Sequence, residues 1–130
     1  MLVDTSGLFA YLSDEDKSHV LARQLLDNAR RRVIHSSVLT EFVALADSRG
    51  ESRTRALDFT DSILDGKDFE VVWLDEEDHR QAITLLKARL DKRYSLCDAA
   101  SFILMRRMNL TQALTTDHHF EQEGFTRLLR

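Results

Sequence analysis

Six consecutive residues, Phe69-Glu70-Val71-Val72-Trp73-Leu74, constrain the fold more than any other stretch of the chain. Their β-branched and aromatic content reads as a β-strand, and Asp65-Gly66 ahead of them breaks the preceding helix. Both faces of the strand are largely apolar. A half-solvated antiparallel strand alternates apolar with polar residues, whereas a strand apolar on both sides belongs in a parallel sheet with helices covering each face.

The rest of the chain supplies the helices and strands that such a sheet needs. Val20, Leu21, Leu25, Leu26 and Ala29 recur near every 3.6 residues between about Lys17 and Arg30, which predicts an amphipathic helix. Ser36-Ser37 offers an N-cap for a second one, carrying Val38, Leu39, Phe42, Val43, Leu45 and Ala46 and stopping near Gly50. Further helices fall from Arg53 to Leu64, around Ile83, Leu86 and Leu90, and around Ala99, Phe102, Ile103 and Met105, the last beginning between Ser95 and Asp98. Short apolar runs at Met1 to Val3, Val33 to His35, Ala113 to Thr115 and Phe125 to Leu129 read as strands, the last at a sheet edge. The expectation is an α/β fold, a single three-layer α/β/α domain over residues 1–130 with a mainly parallel sheet of five strands.

Several function classes are excluded or disfavoured by what the chain lacks. Cys97 is the only cysteine, so neither an intrachain disulfide nor a cysteine-built zinc site is available, and a reducing cytoplasm fits. No apolar run approaches the roughly 20 residues of a membrane span, and Asp4 interrupts the amino terminus before a signal peptide could form. Walker, GxGxxG and GxSxG motifs are all missing, which removes the mechanical parts of nucleotide-cofactor and serine-hydrolase chemistry.

A formal net charge of −4 gives no overall field for a polyanion. Basic clusters exist nevertheless, at Arg30-Arg31-Arg32, at Arg49, Arg53 and Arg55, at Lys87, Arg89, Lys92 and Arg93, and at Arg106-Arg107. They read either as phosphate contacts or as solvated helix faces.

Four acids fall at positions where this architecture collects ligands. Asp4 and Asp117 end strands, and ligands of an open parallel sheet bind outside the carboxyl ends of its strands. Glu41 and Asp98 come from the amino-terminal parts of helices that point to the same rim. Two like charges about 4 Å apart repel by roughly 4 kcal/mol at an effective dielectric of 20, so a converging set calls for protons or a cation. Hard oxygen donors suit Mg²⁺ or Mn²⁺, the ions of phosphodiester hydrolysis. Taken one at a time, each acid is as well explained by chance in a chain with 22 acidic residues, and Asp117 by an N-cap.

The ordered set Val3-Asp4-Thr5-Ser6, Thr40-Glu41, Cys97-Asp98-Ala99 and Leu114-Thr115-Thr116-Asp117-His118-His119-Phe120 resembles the PIN-domain pattern, and among its branches the VapC-type toxins. The likeness runs from Leu2 to Glu121-Gln122-Glu123-Gly124-Phe125 near the carboxyl end. It implies a Mg²⁺- or Mn²⁺-dependent endoribonuclease, the toxin of a toxin–antitoxin pair, that cleaves tRNA or rRNA with a metal-activated water. It also implies a homodimer and a cognate antitoxin. Asp4, Asp98 and Asp117 match the metal-binding acids, Glu41 the acid acting through a metal-held water, and Thr5, Ser6 and Thr115 the flanking hydroxyl positions. The alternative is a catalytically silent PIN module binding RNA or a protein partner, against which the intact quartet argues. An aspartate phosphoacceptor would need an acidic pair before its strand-end aspartate and a lysine on a late strand, and neither is evident. His118 and His119 read as surface residues with diverging rings, and Trp73, Phe69, Phe102 and Met105 as core.

Overall fold

The computed structural model describes residues 1–130. In chain order the elements are β1 (Leu2–Val3), α1 (Thr5–Leu12), α2 (His19–Asp27), β2 (Val33–His35), α3 (Ser36–Ser48), α4 (Arg53–Asp65), β3 (Glu70–Val72), α5 (Glu76–Lys87), α6 (Leu96–Arg107), β4 (Gln112–Leu114), α7 (His119–Gln122) and β5 (Thr126–Arg127). The five strands form one sheet in the order β3-β2-β1-β4-β5, every neighbouring pair parallel.

The strands are short, but alternation within them sorts the core into two layers. Val3, Ile34 and Leu114 point to one face, where they join Leu8, Phe42, Ile63 and residues of α1 to α4 in a buried cluster of 16. Their neighbours Leu2, Val33 and Ala113 point to the other, against Phe102, Met105 and Phe120 of α6 and α7. The expected α/β/α sandwich is therefore present, with the sheet between two unequal apolar layers.

One close approach fixes how the first helix sits on the sheet. A Cβ at Gly7 would collide with the carbonyl oxygen of Leu114, so only glycine lets α1 lie against the end of β4. Asp4 N–H donates to the same Leu114 oxygen at 3.2 Å, which locks the exit of β1 beside the exit of β4.

Some expectations fail in an instructive way. Phe69 to Leu74 is the edge of the sheet and not its centre: only Glu70–Val72 pair, Val71 and Val72 are half-buried, and Trp73 is 67% exposed. An edge strand has one flank and much of one face open, and apolar content alone does not reveal this. On α2 the buried residues are Ala22 and Leu26, while Val20 is 78% exposed and Leu21 faces solvent as well. Leu90 lies past the end of α5 and is exposed. Gly50, with φ 76°, does follow the end of α3 as expected, whereas Ser36 caps nothing, its hydroxyl instead accepting from the backbone N–H of Leu74.

The basic clusters are largely spent within the chain. Arg31 pairs with Glu70, Arg107 with Asp78, and Arg89 and Arg106 both with Glu123. For these arginines the reading as structural surface partners holds.

Candidate active site

The chain leaves β1, moves outward through β2 to β3, and returns on the opposite side of β1 as β4. The order therefore reverses between β1 and β4, and a parallel sheet opens a crevice at the carboxyl ends of strands where that happens. Asp4 leaves β1 there and Thr115 to Asp117 leave β4 there.

Asp4 is 6% exposed and held by hydroxyls. Thr115 Oγ1 donates to its Oδ2 at 2.8 Å, and Ser6 Oγ lies 3.4 Å from the same oxygen. With its one proton given to Asp4, Thr115 accepts from the backbone N–H of Asp117 at 3.0 Å, and Ser6 Oγ, 3.1 Å away, is left as the donor in their contact. Ser6 Oγ in turn accepts from Thr116 N–H at 3.0 Å. The three hydroxyl positions expected to flank the acids thus behave differently: Ser6 and Thr115 are wired to Asp4, whereas the buried Thr5 Oγ1 has no partner.

Asp98 stands at the third position of α6 and closes a capping box with Ser95: its Oδ2 accepts from Ser95 N–H at 3.0 Å while Ser95 Oγ accepts from Asp98 N–H at 3.0 Å. Its carboxylate is therefore fixed by local chemistry that any helix start can use. Asp117 Oδ1 accepts from His119 N–H at 2.9 Å, a turn-forming contact of the same ordinary kind.

What sets the group apart is its electrostatics. Burial pushes the Asp4 carboxyl up to about 7, and the charges of Asp98 and Asp117 add to the rise that Thr115 only partly offsets. Burial also raises Asp98, with Asp117 again adding to it. No lysine or arginine pairs with either acid; the nearest basic group is the His119 imidazole, 3.7 Å from Asp98 Oδ2. Glu41 is exposed, in the second turn of α3, and reaches the cluster through Cys97. The Cys97 thiol is pushed strongly up by burial and then by a hydrogen bond to Glu41 and the charges of Glu41, Asp4 and Asp98. Cys97 is thus a small neutral residue ringed by three of the four acids. Glu41 and Thr5 share a surface cleft of about 410 Å³, while the larger groove beside α5 holds none of the four.

The sequence reading missed His119. Its Nδ1 lies 3.2 Å from Asp117 Oδ1 and 3.7 Å from Asp98 Oδ2, and its ring packs edge-on against Tyr94. The rings of His118 and His119 do not diverge: their centroids are 4.5 Å apart. The only signal available was adjacency to Asp117, since ring direction depends on the backbone turn into α7 that spacing does not encode.

This donor set fits a hard divalent cation. It offers carboxylates that no lysine or arginine pairs with, a carboxyl that burial otherwise keeps partly protonated near neutral pH, and a buried hydroxyl oxygen without a partner.

The sequence of residues 1–125 matches the PIN domain family. The chain belongs to this family. Among solved structures, the Mycobacterium tuberculosis toxin VapC20, described as a sarcin–ricin loop cleaving toxin, superposes with a TM-score of 0.90 at 26% identity, over 99% of this chain and 98% of that one. Among curated proteins none matches the chain. As a PIN domain, it carries Asp4 and Asp117 where β1 and β4 leave the sheet.

Proposed function

We propose that this PIN domain is a metal-dependent endoribonuclease and the toxin of a toxin–antitoxin pair. The observation that carries the reading is Asp4: a carboxylate buried at the switch point, held by the Thr115 hydroxyl, and faced by two further acids with no lysine or arginine paired to any of the three. Structural acids are neutralised by their neighbours; an acid cluster kept uncompensated is kept for a ligand.

Asp4, Asp98 and Asp117 hold Mg²⁺ or Mn²⁺ in this reading. When bound, the cation neutralises the carboxylates, acidifies a water and draws in an RNA phosphate. The residues of the chain do the rest. Thr115, itself braced by Ser6, keeps Asp4 Oδ2 facing one way, and Ser95 does the same for Asp98. Glu41, at the open side of the cluster, positions the attacking water and takes its proton.

Structured RNA, tRNA or rRNA, is the substrate class, the similar VapC20 being described as a sarcin–ricin loop cleaving toxin. The partners we assign are a second copy of the chain and an antitoxin with a basic, partly disordered carboxyl-terminal segment that fits the acidic crevice by charge. The cytoplasm is the compartment that substrate requires, and no helix is long and apolar enough to cross a membrane. Mapping RNA 5′ ends after induced expression tests the reading. Discrete new ends are expected with the wild type, none with Asp4→Asn, and relief when the adjacent reading frame is co-expressed. Identical ends from both chains would overturn it.

A further inference from the structure

We propose that Asp117, His118 and His119 form a binding site for Zn²⁺, an ion of borderline softness, beside the acidic cluster and sharing one carboxylate with it. Three ligand atoms, one from each residue, lie within 4.8 Å of one another. Asp117 Oδ1 is 3.2 Å from His119 Nδ1 and 3.7 Å from His118 Nδ1. Ligands about 2.0 to 2.1 Å from a tetrahedral zinc are about 3.3 Å from one another, so the first pair needs no adjustment and the second a few tenths of an ångström.

The nitrogens are available. His119 Nδ1 is buried and has no hydrogen-bond partner, which leaves a lone pair or a proton unsatisfied in a position that costs free energy. Tyr94 holds the ring from one side, 5.2 Å between centroids, and Tyr94 is itself fixed by a 2.9 Å hydrogen bond to Glu123. The two imidazole nitrogens lie within 4.8 Å of each other, and His118, largely exposed, is free to turn its ring and close them to the about 3.3 Å of a tetrahedral zinc. The fourth position falls to water or to Asp98 Oδ2, 3.7 Å from His119 Nδ1.

The donor chemistry separates this site from its neighbour. Carboxylates and hydroxyls alone suit Mg²⁺ and Mn²⁺; two imidazoles with one carboxylate favour Zn²⁺, which also stands above Mn²⁺ in general affinity for nitrogen ligands. Because Asp117 serves both sets, zinc at the histidines withdraws a carboxylate from the acidic cluster. Binding follows from geometry alone, and its inhibitory consequence rests on the nuclease reading above.

The test is calorimetric titration of Zn²⁺ into the metal-free protein without RNA. One ion per chain is expected, with affinity at least about tenfold weaker in His118→Ala and in His119→Ala and retained in Asp4→Asn. Absence of binding, or binding that neither histidine variant weakens, overturns the site, whatever the chain does to RNA. Zn²⁺ added to Mg²⁺-supported cleavage is expected to inhibit the wild type at least about tenfold more strongly than His118→Ala; equal inhibition of both overturns the sharing of Asp117.

Discussion

Two buried carboxylates, Asp4 and Glu123, have opposite surroundings. The Glu123 side chain is 4% exposed, and burial alone would raise its pKa. Hydrogen bonds from Arg106, Tyr94 and Arg89 more than reverse that, so the net shift is downward. Asp4, the more deeply buried of the two, has hydroxyls for partners and acids for neighbours, and it rises to about 7. Glu123 ties the loop after α5 and the end of α6 to the start of β5. Asp4 ties nothing that Asn would not tie as well.

The contrast is broken first by neutralising each acid in turn. Asp4→Asn is expected to bring RNA cleavage down to background while the urea midpoint at pH 7 stays level or rises, because a charge without a partner has been removed. Glu123→Gln is expected to do the reverse, retaining cleavage while losing about 2 kcal/mol. That figure is discounted from a fully buried pair, because Arg89 and Arg106 are 38% and 44% exposed. A stability loss in Asp4→Asn as large as that in Glu123→Gln would erase the distinction.

A smaller effect is expected in the pH dependence of metal-free stability. Unfolded, the Asp4 carboxyl ionises near 3.8, but folded it keeps its proton to about 7, so its contribution falls as pH rises between those values. His35 is fully buried, bonded through Nε2 to Ser101 Oγ at 2.8 Å, and burial lowers it from 6.5 to about 4. Below pH 6.5 the unfolded imidazole takes a proton that the folded one refuses, so its contribution falls as pH drops. Each slope accumulates to roughly 3 to 4 kcal/mol, and over pH 4 to 6.5 they oppose each other. Urea titrations should therefore show a shallow wild-type profile, a stability rising with pH in Asp4→Asn, and one falling with pH in His35→Gln.

Smallest of all is Thr115→Val, which takes from Asp4 its 2.8 Å donor and keeps the shape. Roughly tenfold weaker Mn²⁺ binding is expected, the low end of what an orienting partner is worth. Unchanged Mn²⁺ affinity would show that Asp4 needs no orienting.

The residues differ in how much of this was legible beforehand. The parallel sheet and the place of Asp4 and Asp117 at strand ends followed from short apolar runs that stop at acids, a local signal. Asp98 was legible because the apolar run from Ala99 to Met105 put it in a helix's first turn, although its capping box with Ser95 went unread. Trp73 was misread, since edge and centre of a sheet differ only in what lies beside them. His119 was missed for a related reason: its part depends on Asp98, 21 residues earlier in sequence, being brought within 3.7 Å. Glu123 gave no sign, because its value lies in three partners from two distant segments.

The fit of α1 against β4 at Gly7 and Leu114 also has a consequence in time. Asp4 receives its hydrogen bond from a residue 111 positions later, and β1 has no neighbour on that side until Leu114 exists. On a ribosome making the chain from its amino end, Asp4 is translated 111 residues ahead of the threonine that holds it, and the crevice around it cannot close before then. A nascent chain that stops short of β4 carries Asp4, Glu41 and even Asp98 without a place to bring them together, so the crevice is assembled only once Leu114 and Thr115 have been made.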